Sequence, residues 1–185
     1  MIFFDTDCIS SFLWVNKENL LLGLELGELV IPREVFIELS NPSVRQLGKR
    51  VSTLLEDRHM QIMDIMTDTE ASRLFYQMAY SPMDGYRPIG KGEAAVLALA
   101  IAHGGIVASN NLRDISPYVT RCALRHITTG YILAVANDKG LIDECEGNRI
   151  WDSMLKRRRK LPTTSFTDYL KSIYPRDQLA ASFEG

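Results

Sequence analysis

The sequence predicts an α/β fold built on a mainly parallel sheet. Short apolar runs of strand length recur along it: IFFD (2–5), ELVIP (28–32) and IVAS (106–109). Stretches with helical apolar spacing separate them, most clearly GKGEAAVLALAIAHGG (90–105). Strands that alternate with helices pair in parallel, because each helix carries the chain back to the same sheet edge. With 46% hydrophobic and 24% charged residues, the 185-residue chain has enough apolar surface for a sizeable core.

The elements follow in order. IFFD reads as a buried strand, then SSFLWVN (10–16) and KENLLLGLELG (17–27) as helices. ELVIP is a second strand, stopped by Pro32, which opens the short helix REVFIELS (33–40) at a position proline favours. After a turn at Asn41-Pro42, SVRQLGKRVSTLLEDRH (43–59) is an amphipathic helix and MQIMDI (60–65) a strand. TDTEASRLFYQMAY (67–80) is a helix with a capping box from Thr67 to Glu70. The Pro- and Gly-rich SPMDGYRPIG (81–90) is a loop. Helix 90–105 closes on Gly104-Gly105. IVAS leads into NNLRDISPYVTRC (110–122), an Asn-capped helix, then the strand LRHITT (124–129) and the helix TGYILAVANDKG (129–140). Residues 141–185 are helical and mixed, with the basic run KRRRK (156–160), a capped helix at 163–174 and a frayed final dozen residues.

Charge and cysteines narrow the class. A net charge of −2 excludes a uniformly basic nucleic-acid binder, so any such contact needs a local patch. Cys8, Cys122 and Cys145 are odd in number and form no CxxC pair, against both a disulfide scaffold and a zinc knuckle. A reducing cytoplasm is the expected home. The N-terminus lacks a basic region and is interrupted by Asp5 and Asp7, unlike a secretion signal. The longest apolar run, Ala94 to Ala102, is far too short to cross a membrane.

Acids on apolar faces carry the chemistry. Asp5 ends an apolar strand. Glu93 shares a helix face with Val96, Leu97 and Ala100, and Glu38 shares one with Val35 and Leu39. Asp114 is spaced so that it, Asn110 and Asn111 look back toward a strand end. Any one of these has an ordinary explanation: it reaches water, caps a helix or pairs with a base. Together they lie at strand ends or cleft helices, with Arg113 as the nearby base in the same motifs. Clustered carboxylates raise one another's pKa or recruit a cation. Oxygen ligands without His or Cys favour Mg²⁺ or Mn²⁺. His59, His103 and His126 are scattered and read as structural or surface residues. GKGE (90–93) lacks the spacing and final Lys-Ser/Thr of a nucleotide-binding P-loop. Phosphodiester hydrolysis by a metal-activated water fits the acids better.

Four blocks resemble the PIN-domain nucleases, especially the single-domain VapC-like toxins: FFDTDCISSFL (3–13), IPREVFIELS (31–40), GKGEAAVLALAIAHGG (90–105) and VASNNLRDI (107–115). The resemblance implies a PIN-like three-layer α/β/α sandwich with a central, mainly parallel sheet. It implies a nuclease domain over 1–140, with 141–185 a helical extension packed on it. Asp5, Glu38, Glu93 and Asp114 match the family's catalytic acids, with Asp5, Glu93 and Asp114 as metal ligands. Asp7, Ser109 and Asn111 match supporting positions. Asn110-Asn111 departs from the paired acids common there, which weakens the case for a tight second metal. The resemblance further implies Mg²⁺- or Mn²⁺-dependent cleavage of RNA leaving a 5′-phosphate, a homodimer, and inhibition by an antitoxin protein.

Lys156, Arg157, Arg158, Arg159 and Lys160 form the densest basic run, either a solvated helix end or a track for an RNA backbone. Arg45, Lys49, Arg50 and Arg58 recur along one helix and are alternative groove residues, while Tyr76, Tyr80 and Tyr86 either pack or stack on bases. The Leu-rich stretch 20–29 reads as core, or as a face for an antitoxin helix. Two other readings stand beside the endoribonuclease. One is a PIN scaffold of low activity that binds RNA or a partner, which Asn110-Asn111 favours. The other is a metal-dependent DNA nuclease or phosphatase. Asp5-Thr6-Asp7 superficially evokes a phosphatase, without its full nucleophile motif or late Lys.

Overall fold

A computed structural model describes residues 1–83 and 85–175. The frayed tail expected from sequence falls almost wholly on 176–185, outside the described residues. Five strands form one parallel sheet in the order β3-β2-β1-β4-β5: β1 (Ile2–Phe4), β2 (Leu29–Pro32), β3 (Gln61–Met63), β4 (Ile106–Ala108) and β5 (His126–Ile127). β1 is central. Ile2 and Phe3 pair with Leu29 and Val30 on one side, and Ile2, Phe3 and Phe4 with Ile106, Val107 and Ala108 on the other. All three β1 residues are buried, as a sheet covered on both faces requires.

Ten α-helices cover the sheet among the described residues: α1 (Thr6–Trp14), α2 (Asn19–Gly23), α3 (Arg33–Leu39), α4 (Arg45–Glu56), α5 (Glu70–Ala79), α6 (Lys91–His103), α7 (Leu112–Arg121), α8 (Thr129–Asp138), α9 (Glu144–Lys156) and α10 (Phe166–Ser172). α1 packs on α4, α8 and α9, while α6 packs on α5 and α7. Right-handed crossovers place α1 and α4 on one face and α6 and α7 on the other, because the chain steps one way from β1 to β3 and the other way from β3 to β5. The result is the expected three-layer sandwich. α3 touches both α1 and α6, bridging the layers at the carboxyl edge of the sheet. The chain reverses direction between β1 and β4, and in such sheets the crevice at that point receives ligands.

Several boundaries differ from the sequence reading. α1 begins at Thr6 rather than Ser10, because Asp5 caps it: its carboxylate accepts the Cys8 N–H at 2.6 Å. The capping box of α5 is Thr69 with Ser72, two residues beyond Thr67 with Glu70. The Leu-rich stretch is mostly core: α2 is a single short helix, and Leu21, Leu24 and Leu29 are buried. Gly104 ends α6 in the left-handed conformation at φ 65°, as its sequence position led one to expect.

The C-terminal helices are tied to the rest by Trp151. It is fully buried, donates its indole N–H to the Thr163 carbonyl at 3.0 Å, and packs on Phe166 and Tyr169. Gly147 of α9 lies directly against Phe166; a Cβ there would meet ring carbons at 2.3 and 2.4 Å. Alanine improves helix propensity by about 1 kcal/mol, but overpacking a fixed ring costs about 1–3 kcal/mol. Gly147→Ala is therefore expected to lower the urea midpoint of the whole chain in one cooperative transition. An unchanged midpoint would mean that α9 and α10 are not packed as described.

Candidate active site

β1 delivers Asp5 to the carboxyl edge, where its N–H still bonds to the Ala108 carbonyl of β4 at 3.0 Å. Being the last residue of the central strand and the cap of α1, it is fixed from both sides and only 3% exposed. A cleft of about 290 Å³ opens over it, lined by Asp5, Thr6, Asp7, Glu38, Gly90, Gly92 and Glu93. Three chain segments thus bring four of the sequence-selected acids to one place. A larger cavity of about 520 Å³ around Glu28, His59 and Gln61 lies at the opposite, amino end of β2 and β3, away from these acids.

Each acid is held differently. Glu93 lies in the first turn of α6, and its Oε2 accepts the Gly90 N–H at 2.8 Å. Its Oε1 accepts the Asn111 side-chain amide at 2.5 Å. That amide also donates to Asp114 Oδ2 at 2.7 Å, so Asn111 ties Glu93 to Asp114 without adding charge. Asn111 thus stands at the cap position of α7 without capping it by its side chain, contrary to expectation. Asp114 does not line the cleft itself; it is joined to Glu93, which does, through Asn111. Glu38, on exposed ground at the end of α3, accepts the Thr6 hydroxyl. Its carboxylate sits 3.0 Å from where a Cβ on Gly92 would be, so a side chain at 92 would push it away. Asn111 donates its backbone N–H to the Ser109 hydroxyl at 3.1 Å, and Ser109 in turn hydrogen-bonds Asp5. Asn110 faces elsewhere, clamping β4 to α8 by exchanging hydrogen bonds with Thr129 at 2.8 and 2.9 Å.

Burial pushes the Asp5 carboxyl up to about 7 from 3.8; hydrogen bonds from Ser109 and Cys8 oppose this, and the charges of Asp7 and Glu93 add to it. The size of this shift bears on why an acid is there. A helix cap contributes about 1 kcal/mol, and asparagine caps as well as aspartate. Ionising Asp5 in place costs about 4 kcal/mol from the shift between 3.8 and about 7. Capping alone does not explain a carboxylate at this cost.

Sequence reasoning missed Thr6 and Gly92, and named Arg159 only within the basic run, not as a neighbour of the acids. Arg113 is exposed, and the base that approaches the acids comes from the C-terminal run instead: Arg159 Nη1 lies 3.8 Å from Asp7 Oδ1. The run divides. Lys156 pairs with Asp152 at 2.5 Å, and Arg157 lies over the Trp14 ring at 5.5 Å from its centre. Among the other candidates, Arg50 pairs with Glu18 of the α2 segment, and Arg45 and Lys49 line a separate groove. Tyr86 packs on Tyr118, with ring centres 4.9 Å apart, whereas Tyr76 and Tyr80 are exposed.

A family model described as a PIN domain (DUF3368) matches residues 1–174. The chain belongs to the PIN-domain family. The acid cleft therefore lies at the carboxyl edge of a PIN-domain sheet. Among solved structures it is similar to VapBC-1 from nontypeable Haemophilus influenzae, at 18% identity over 70% of this chain and 98% of that chain, with a TM-score of 0.49. No curated protein matches it. Among the described residues of the PIN domain, no helix is long and apolar enough to cross a membrane.

The raised Asp5 carboxyl makes a pH-dependent stability term. Below pH 3.8 it is protonated both folded and unfolded and costs nothing. As pH rises the unfolded chain ionises first, so stability falls, and the loss levels off above about 7. In EDTA, Asp5→Asn is expected to melt above wild type at about pH 8, by on the order of 10 °C. The gap is expected to shrink by more than half at about pH 5. Thermal melts at the two pH values check this; an equal gap at both would remove burial of the charge as the cause.

Proposed function

We propose that this PIN-domain chain is a divalent-metal-dependent endoribonuclease of the toxin type. The observation that carries the reading is the buried Asp5 carboxylate, facing a cleft it shares with Asp7, Glu38 and Glu93. The donors are all oxygens, which fits Mg²⁺ or Mn²⁺. Among the described residues no group of three or more His, Cys, Asp or Glu side chains is gathered closely enough to hold an ion by itself. Mg²⁺ is commonly held by one or two carboxylates while waters and substrate phosphate complete its shell. Asp5 and Glu93 would hold the ion, with Asp114 in support through Asn111. Bound there, it would polarise a phosphate and lower the pKa of a bound water.

The remaining groups position. Ser109 and the Cys8 N–H fix the Asp5 carboxylate. Asn111 aligns Glu93 with Asp114. Thr6 holds Glu38 at the cleft edge, where a carboxylate orients the attacking water and takes its proton. In this reading residues 1–140 carry the chemistry, and the helices beyond pack on the same unit. An RNA substrate, an antitoxin partner and a homodimer rest on the likeness of the four sequence blocks to VapC-like toxins. A PIN scaffold that binds without cutting is the second reading. What favours it is the Asn111 amide, which spends both its hydrogens holding the two acids together.

Purified protein with single-stranded RNA or DNA, in Mg²⁺, Mn²⁺ or EDTA, tests this. Metal-dependent RNA fragments bearing 5′-phosphates are expected from wild type. Asp5→Asn and Glu93→Gln are expected to lose activity by on the order of 10²-fold or more, and Asn111→Ala by about 10–100-fold. Cutting of DNA alone, or RNA bound and left intact with metal present, would contradict the proposal.

A further inference from the structure

A second cavity adjoins the acid cleft. It holds about 150 Å³ and is lined by Asp7, Ser11, Asn110, Arg158, Arg159 and Lys160. Asp7 lies in the walls of both cavities, so they are neighbours. The volume equals about five waters, room for one hydrated phosphate group. We propose that it is a phosphate pocket, seating a backbone phosphate of the RNA strand beside the one to be cut. The proposal rests on the nuclease reading for the identity of the strand.

The pocket has a definite construction. α9 ends at Lys156, and Arg158 then adopts a left-handed backbone at φ 59°, an uncommon conformation for a residue with a side chain. Beyond this reversal Arg159 lies against α1. Arg159 is held rather than solvated: its side chain is 23% exposed, and Nη1 donates to the Ser10 hydroxyl at 3.1 Å while Nε donates to the Arg157 carbonyl at 3.3 Å. The opposite wall is equally fixed. Ser11 donates to the Asp7 carbonyl at 2.7 Å, and Asn110 is clamped to Thr129. Of the five basic residues in 156–160, the last three face this cavity, while Lys156 and Arg157 engage Asp152 and Trp14. A solvated basic tail does not sort its side chains in this way.

Charge supplies the reason. A polyanion crossing a cleft lined by Asp5, Asp7, Glu38 and Glu93 is repelled, and a chain of net charge −2 offers no general attraction. Three cations beside the cleft give the strand a local hold, and guanidinium groups match phosphate oxygens in pairs.

The test pairs Arg158→Asn with Lys160→Gln. Both side chains are exposed, and asparagine tolerates the left-handed backbone at 158. The probe is fluorescein-labelled random-sequence single-stranded RNA of about 12 nucleotides, followed by anisotropy in EDTA across a salt series. The double variant is expected to melt like wild type and bind about 10-fold more weakly, with a salt slope shallower by about 0.7 for one lost phosphate contact. With metal, its KM is expected to rise while kcat holds. Unchanged affinity and slope would overturn the pocket and leave the nuclease reading standing. Lost binding, with no metal-dependent cleavage by wild type, would keep the pocket as an RNA seat and remove the nuclease reading. If an Asp/Glu peptide of similar length binds wild type more tightly than the RNA and is lost in the variant, the pocket belongs to a protein partner and the proposal falls.

Discussion

The site depends on a carboxylate shut away from water at the end of the central strand. Asp5 is the point where β1 stops, α1 starts and the acid cleft opens, so one residue serves backbone continuity and helix capping and lines the proposed site. Its two fixed hydrogen bonds hold it in place but do not offset the burial of its charge. The surroundings follow from that imbalance. Ser109 and Asn111 extend from the neighbouring strand end to support it, and Gly92 leaves space for Glu38 to approach over the start of α6. The fold thus places negative groups together around a buried acid, the feature on which the proposed metal dependence rests.

Opposite charges lie side by side at this edge. The acid cleft and the basic cavity share Asp7, whose carboxylate faces Arg159. In the proposed reading a phosphodiester strand would partner both: one phosphate for an ion held by the acids, and a neighbouring phosphate for the cations. Asn111 adds a further adjustment. An acid at that position would put a third charge beside Glu93 and Asp114, whereas the amide satisfies one oxygen of each and leaves the local charge lower.

Much of this was readable from the chain. The order of strands and helices, the inward faces of Glu93 and Asp5 and the closure at Gly104 follow from local apolar spacing and turn chemistry. The start of α1 was missed for an instructive reason: an Asp before a helix signals a cap, but its neighbour Asp7 drew both acids into one reading as site residues. The α5 capping box slipped by two residues because Thr67 and Thr69 both begin plausible ones. The placement of Arg159 beside Asp7 was beyond local reasoning. The run 156–160 shows charge, but which of its side chains turn toward Asp7 depends on a backbone reversal at Arg158 and on the seating of α9 against α1. Long-range placement of that kind leaves no periodic trace.

The most direct measurement is an NMR titration of the Asp5 side-chain carboxyl carbon, in EDTA and again in saturating Mg²⁺. In EDTA the expected midpoint is about 7, far above the ordinary 3.8. With Mg²⁺ it is expected to fall back into the ordinary carboxylate range or below, because a bound cation favours the charged form. An ordinary midpoint in EDTA, or one that Mg²⁺ leaves unmoved, would contradict the account of Asp5 as a buried acid awaiting a metal.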